Sequence, residues 1–176
     1  LLKDKRLGRE IPKEQKKPVS NALKPFYEIE GNSMLELEPP KHKRLRSLVL
    51  KAFTSNRISK LSEEIKTLCN KLIDEFPDGN FDILANYTKR VPVIVIARLL
   101  GVPDSMENQL LNWSNDMVKM YQAEKSKKIQ RLAITSTKNF TQFMRSYVEE
   151  RRAKPSNDLI SHLISVEDLT AARAFL

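Results

Sequence analysis

The chain has 176 residues, 40% of them hydrophobic and 30% charged, which admits a folded core and argues against wholesale disorder. Its single cysteine, Cys69, excludes an internal disulfide and a multi-cysteine metal site. The net charge of +9 is uneven: residues 1–60 hold 15 Lys/Arg against 7 Asp/Glu, and residues 61–176 hold 16 against 15, so an anionic partner is expected on the first third.

The start, Leu1 to Arg6, is basic and no apolar segment follows it, so it does not read as a signal peptide. No apolar run reaches the roughly 18 residues of a membrane span, and a cytoplasmic location is expected. Short helical pieces are expected around Leu1–Leu7 and Ser20–Tyr27, between Pro12, Pro18 and Pro25. Gly31-Asn32-Ser33 reads as a turn.

From Pro39-Pro40 the pattern becomes helical, with Leu45, Leu48, Val49, Ala52 and Phe53 on one stripe. A second helix is predicted from about Ser55 to Phe76, with Ile58, Leu61, Ile65, Leu68, Leu72 and Phe76 inward. It stops at Pro77-Asp78-Gly79-Asn80. Residues 81–100 read as a buried helix kinked at Pro92, although Val91 to Ala97 is also compatible with a buried strand. Gly101-Val102-Pro103 ends that helix.

A fourth helix, capped by Asp104 or Ser105, runs to about Tyr121. A fifth runs to about Arg152 with Ile129, Leu132, Ala133, Phe140, Phe143, Met144 and Tyr147 inward and Ser136 among them. Asn157 is expected to cap a short sixth helix carrying Leu159, Ile160, Leu163 and Ile164. The tail, Glu167 to Leu176, shows no terminator. The prediction is an all-α chain of six helices with short connections, with a length suited to one domain over residues 1–176.

Chemistry concentrates in Pro39-Pro40-Lys41-His42-Lys43-Arg44-Leu45-Arg46. His42 and Arg46 are four apart and project from one side of a helix, beside its apolar stripe. Lys43 and Lys51 are expected on the far side. Two donors at an apolar rim suit a carboxylate or phosphate on a large apolar body, and Arg suits carboxylates because its fork is planar and permanently charged. The same spacing is also compatible with a solvated basic face.

Glu38 to Arg46, followed by Val49 and Ala52-Phe53-Thr54, resembles the helix C signature of bacterial cytochromes P450, usually Asp-Pro-Pro-Glu-His-Thr-Arg-Leu-Arg and then Ala-Phe-Thr. Leu1 to Gly8 resembles that family's helix B, and Ser33-Met34-Leu35 the end of its B–C loop. Phe81-Asp82, Tyr87, Val91-Pro92, Val95-Ile96 and Leu99 to Pro103 resemble helix E and its exit. Trp113 sits where helix F commonly has a Trp, and Asn157 to Ile160 resembles the start of helix H. The resemblance covers nearly the whole chain. It implies the helical N-terminal portion of the P450 fold.

It also implies a haem-thiolate monooxygenase that hydroxylates a small apolar organic substrate with O₂. Haem b would be contacted at its propionates by His42 and Arg46. An acidic ferredoxin or flavodoxin would dock near Lys43, Arg44 and Lys51. Ser33, Met34, Leu35, Met117 and Tyr121 would approach the substrate, with Trp113 and Met120 nearby.

The family's axial cysteine loop, the acid–Thr pair of helix I and the Glu-x-x-Arg of helix K have no counterpart here. Cys69 reads as a core residue, not an iron ligand. The isolated chain is therefore expected to be inactive. His162 reads as a surface or packing residue, and Asp82 and Asp104 as helix caps. Other classes considered are a basic helical nucleic-acid-binding module and a non-catalytic truncated remnant. The first is disfavoured by the lack of a dense basic–aromatic cluster and of a helix-turn-helix signature, and no nucleic-acid partner is expected.

Overall fold

The computed structural model describes residues 8, 10–16, 18–53 and 55–165. The expected helix at Leu1–Leu7 and the tail from Glu167 lie outside them. Seven α-helices and no strand occur among the described residues. They are α1 (Lys24–Glu30), α2 (Lys41–Ala52), α3 (Ser55–Asp74), α4 (Arg90–Leu100), α5 (Glu107–Val118), α6 (Lys127–Ala153) and α7 (Leu159–Ser165).

The 27-residue α6 is the axis of the fold, with α1, α5 and α7 packed along it. Ser126 starts it by accepting a hydrogen bond from the Ile129 amide at 3.2 Å, which satisfies a donor that the first turn otherwise leaves orphaned. Its buried stripe is Ala133, Ser136, Thr137, Met144, Tyr147 and Val148. Leu132, expected inward, is 40% exposed, because it lies at the edge of the stripe.

Among the described residues, apolar burial is divided among four clusters. One joins α4, α6 and α7 through Ala97, Val102, Met144, Tyr147, Val148 and Ile160. A second gathers Phe26, Met120 and Ala133, and a third Leu159 and Leu163 with Leu48 and Phe53 resting on them. The fourth joins α3 to α4 through Leu68, Leu72 and Ile94.

The strand alternative for Val91–Ala97 is excluded, since α4 is helical throughout. Pro92 produces no mid-helix kink. It lies in the first turn of α4, and a π-helical turn at Leu84–Thr88 precedes it. There Lys89 donates to the Leu84 carbonyl at 3.0 Å, a wider loop that accommodates the ring and the missing donor of Pro92. Asp82 caps this region as expected, accepting from the Leu84 and Ala85 amides at 2.8 and 3.2 Å.

Gly101 ends α4 with φ +80°, and the Val102 amide donates back to the Ala97 carbonyl at 2.8 Å. This is the left-handed termination that glycine adopts without steric penalty. Asp104 is not a cap. Its carboxylate instead binds the Arg98 guanidinium at 2.6 Å across the α4–α5 turn, which holds the carboxyl below the ordinary aspartate range. At α7 the side chain of Asp158 accepts from the Ser161 amide at 2.7 Å, a capping bond expected one residue earlier, at Asn157.

Candidate functional site

Helix α2 begins directly after Pro39-Pro40, which places His42 and Arg46 one turn apart in its first half. The inward side of α2 is marked by buried Leu45 and by Leu48 and Phe53, which rest on Leu159 and Leu163 of α7. At ~100° per residue, His42 and Arg46 fall between that side and Leu50. His42 is half-buried, Arg46 is exposed and Leu50 is 57% exposed.

These residues line an open concavity of about 600 Å³ with Pro39, Lys43 and Lys51. Lys43 and Lys51 therefore share the open side with the two donors and do not point away from it. The reason is that, among the described residues, α2 is covered chiefly along the α7 edge, and Lys43 lies only ~60° beyond Arg46. Arg44 is exposed but does not line the concavity.

The site combines fixed positive charge, a ring N–H donor and an exposed apolar side chain on one surface. That set is compatible with a carboxylate or phosphate on a large apolar body: the guanidinium fork matches a carboxylate, and Leu50 offers an apolar contact. Among the described residues, no group of three or more His, Cys, Asp or Glu could hold a metal ion. Cys69 is half-buried on α3 beside Leu68, and does not line the concavity. Its thiol neighbours the Tyr87 phenol and pushes that group's pKa up.

The remaining expected site residues separate into two places. Met117 packs with Phe26, Met120 and Ala133, and Tyr121 meets Phe26 edge-on with centroids 6.4 Å apart. Ser33, Met34 and Leu35 occupy the turn after α1, outside that cluster. The Ser33 hydroxyl accepts from the Leu35 amide at 3.2 Å, and Leu35 is 66% exposed. Trp113 is packed against Phe140 and Phe143, with centroids 6.2 and 5.8 Å away. His162 is half-buried and its Nε2 has no hydrogen-bond partner, in keeping with a packing role.

Sequence reasoning missed a polar knot between α4, α6 and α7. Tyr147 donates its hydroxyl to the Gly101 carbonyl, which also accepts from Arg151 at 3.1 Å. Burial pushes the Tyr147 phenol up, and nearby Arg151 only partly offsets this. The one available signal was an Asp three residues before a Ser at the predicted start of α7.

No family model matches the chain. The polyketide biosynthesis cytochrome P450 PksS of Bacillus subtilis is 32% identical over 171 residues, 96% of this chain and 41% of that protein. A mycinamicin IV hydroxylase/epoxidase of Micromonospora griseorubida is 30% identical over 145 residues, 80% of this chain and 35% of that one. The chain thus spans about two fifths of the length of the curated relatives it matches.

Among solved structures, P450BioI in complex with a hexadec-9Z-enoic acid ligated acyl carrier protein superposes with a TM-score of 0.86 at 23% identity. It covers 99% of this chain and 45% of that one. Cytochrome P450 CYP109Q5 from Chondromyces apiculatus gives a TM-score of 0.65 at 32% identity, over 81% of this chain and 35% of that one.

Proposed function

Because the chain is a partial cytochrome P450 of bacterial type, we propose that its parent protein is a haem-thiolate monooxygenase and that this segment holds haem propionates through His42 and Arg46. The observation that carries the reading is the placement of these two donors one turn apart, beside exposed Leu50, on the open side of α2. Haem with a cysteine thiolate ligand supplies O₂ activation. The residues of this chain do simpler work. Arg46 offers a bidentate, always-charged fork to a propionate, His42 adds a ring N–H, and Leu50 covers the apolar edge.

Cys69 is not proposed as the iron ligand, since it lies on α3 beside Leu68. The chain by itself is accordingly proposed to be inactive. Substrate is proposed to be a small apolar organic molecule approached by Leu35 and Tyr121, both exposed, and by Ser33, Met34 and Met117. An acidic ferredoxin or flavodoxin is proposed to dock over Lys43, Arg44 and Lys51, all exposed on α2.

Haem titration of the expressed chain, followed at the Soret band, tests the reading. Saturable binding is expected, with His42→Ala plus Arg46→Ala weakening it about tenfold, or ~1.4 kcal/mol. A carbon monoxide difference spectrum should lack the thiolate-type band. Unchanged affinity in the double variant would overturn the propionate assignment, and a thiolate-type band would overturn the exclusion of Cys69.

A further inference from the structure

Helix α6 carries Arg131, Lys138, Arg145 and Arg152 at intervals of seven residues, and all four are exposed. Seven residues are close to two helical turns, so the four cations form a row spaced by about 10 Å along about 30 Å of helix. Between them on the same face lie Thr135, Gln142 and Glu149, again all exposed, and Lys128 extends the row at its start. The buried stripe of Ala133, Met144, Tyr147 and Val148 occupies the opposite side.

Arg152 is tied to Glu149 at 2.7 Å. No ion pair or hydrogen bond holds the side chains of Arg131, Lys138 or Arg145 among the described residues. Three unpaired cations in register gain no ion-pair stabilisation and repel one another weakly. The row is not a flat strip of charge. Helix α1 runs beside α6, and together they wall a cleft of about 970 Å³ whose lining includes Pro25, Ile29, Lys138, Gln142, Arg145 and Glu149.

We propose that this cleft is a docking groove for an acidic amphipathic helix of a partner protein, with its carboxylates on Lys138 and Arg145 in the cleft and on Arg131, which continues the row beyond the cleft's lining. The row's spacing matches the repeat of a second helix, so carboxylates in heptad register reach successive cations. Pro25 and Ile29 give that helix an apolar contact on the α1 wall. Glu28 and Glu149, also in the lining, disfavour a uniformly anionic phosphate array, and a concave groove does not suit a flat lipid surface. The surface is distinct from the α2 concavity and does not depend on the haem assignment.

The experiment uses the full chain and a fluorescein-labelled, alanine-rich helical peptide with glutamates in heptad register, read by fluorescence anisotropy. Saturable binding is expected to weaken at least about tenfold in Arg131→Glu/Lys138→Glu/Arg145→Glu. It should change less than about twofold in Lys41→Glu/Lys66→Glu/Lys89→Glu, which has the same charge change elsewhere. If far-ultraviolet circular dichroism shows that the first variant has lost helix, the milder glutamine triple replaces it, with a loss of about threefold or more expected. Equal losses in both sets would mean general charge attraction and overturn the proposal. Tighter binding to phosphatidylserine vesicles or to duplex DNA than to the peptide would overturn it too.

Discussion

The Nε of Arg151 lies 2.9 Å from Oδ2 of Asp158, and Asp158 is only 3% exposed. The same guanidinium sits over the Tyr147 ring, 4.5 Å from its centroid, and donates to the Gly101 carbonyl. Asp158 uses its other oxygen on the Ser161 amide. One carboxylate thus fastens the end of α6 to the start of α7, and one carbonyl fastens α6 to the end of α4.

Removing one partner of this pair leaves a buried charge alone. Arg151→Met is expected to cost about 3 kcal/mol in urea unfolding. Asp158→Asn keeps a capping acceptor and should cost about half as much. A double-mutant cycle should give a coupling of more than about 1 kcal/mol, and additivity to within ~0.3 kcal/mol would show that the pair is not a unit.

The two glycines with positive φ are expected to differ. Gly79, at φ +79°, has open space where a Cβ would stand, so Gly79→Ala should cost only about 1 kcal/mol for the left-handed backbone. At Gly101 a Cβ would collide with the Asp158 carboxylate. Gly101→Ala should therefore cost well over twice as much and loosen α7. Equal melting temperatures for the two variants would refute the collision.

Burial pushes the Asp116 carboxyl up, but hydrogen bonds from Lys119 and from the Ser136 hydroxyl at 2.8 Å hold it below the ordinary range. A depressed folded-state pKa stabilises above the unfolded value of about 3.9, and that contribution is lost as pH falls through the depressed value. Ser136→Ala should cost about 1 kcal/mol at neutral pH and move the Asp116 titration upward in carbon-13 spectra. The gap from the parent should narrow in strong acid. A gap that stays constant down to the lowest pH would separate Ser136 from Asp116.

Adjacent residues on α3 separate burial from propensity. Leu72 is 1% exposed within the α3–α4 cluster, and Leu72→Ala is expected to cost about 3 kcal/mol. Ile73, at 48% exposed, should cost less than about 1 kcal/mol when changed to Ala. Thermal denaturation of both variants reads the difference.

The helices were legible because their periodicity is strong and their stops are glycine and proline, as at Gly101 and at Pro77-Asp78-Gly79. What the sequence hid were the choices made by charged side chains. Asp104 had the position of a cap, but Arg98, six residues back across the Gly101 turn, offered it a stronger, charged partner. Pro92 looked like a kink, and the chain widened the preceding turn instead. At the site, the spacing of His42 and Arg46 was readable. The side that Lys43 and Lys51 face was not, because it depends on how narrowly α7 covers α2.

Helix α2 meets the other described elements mainly through Leu48 and Phe53 on Leu159 and Leu163, and α7 is only seven residues long. To the extent that α2 rests on this contact, among the described residues, its local opening is expected to follow the packing of α7. Any carboxylate ligand of His42 and Arg46 then binds with an affinity scaled by the fraction of time α2 is seated. Leu163 becomes a determinant of that affinity without touching the ligand, and amide exchange along α2 becomes its readout.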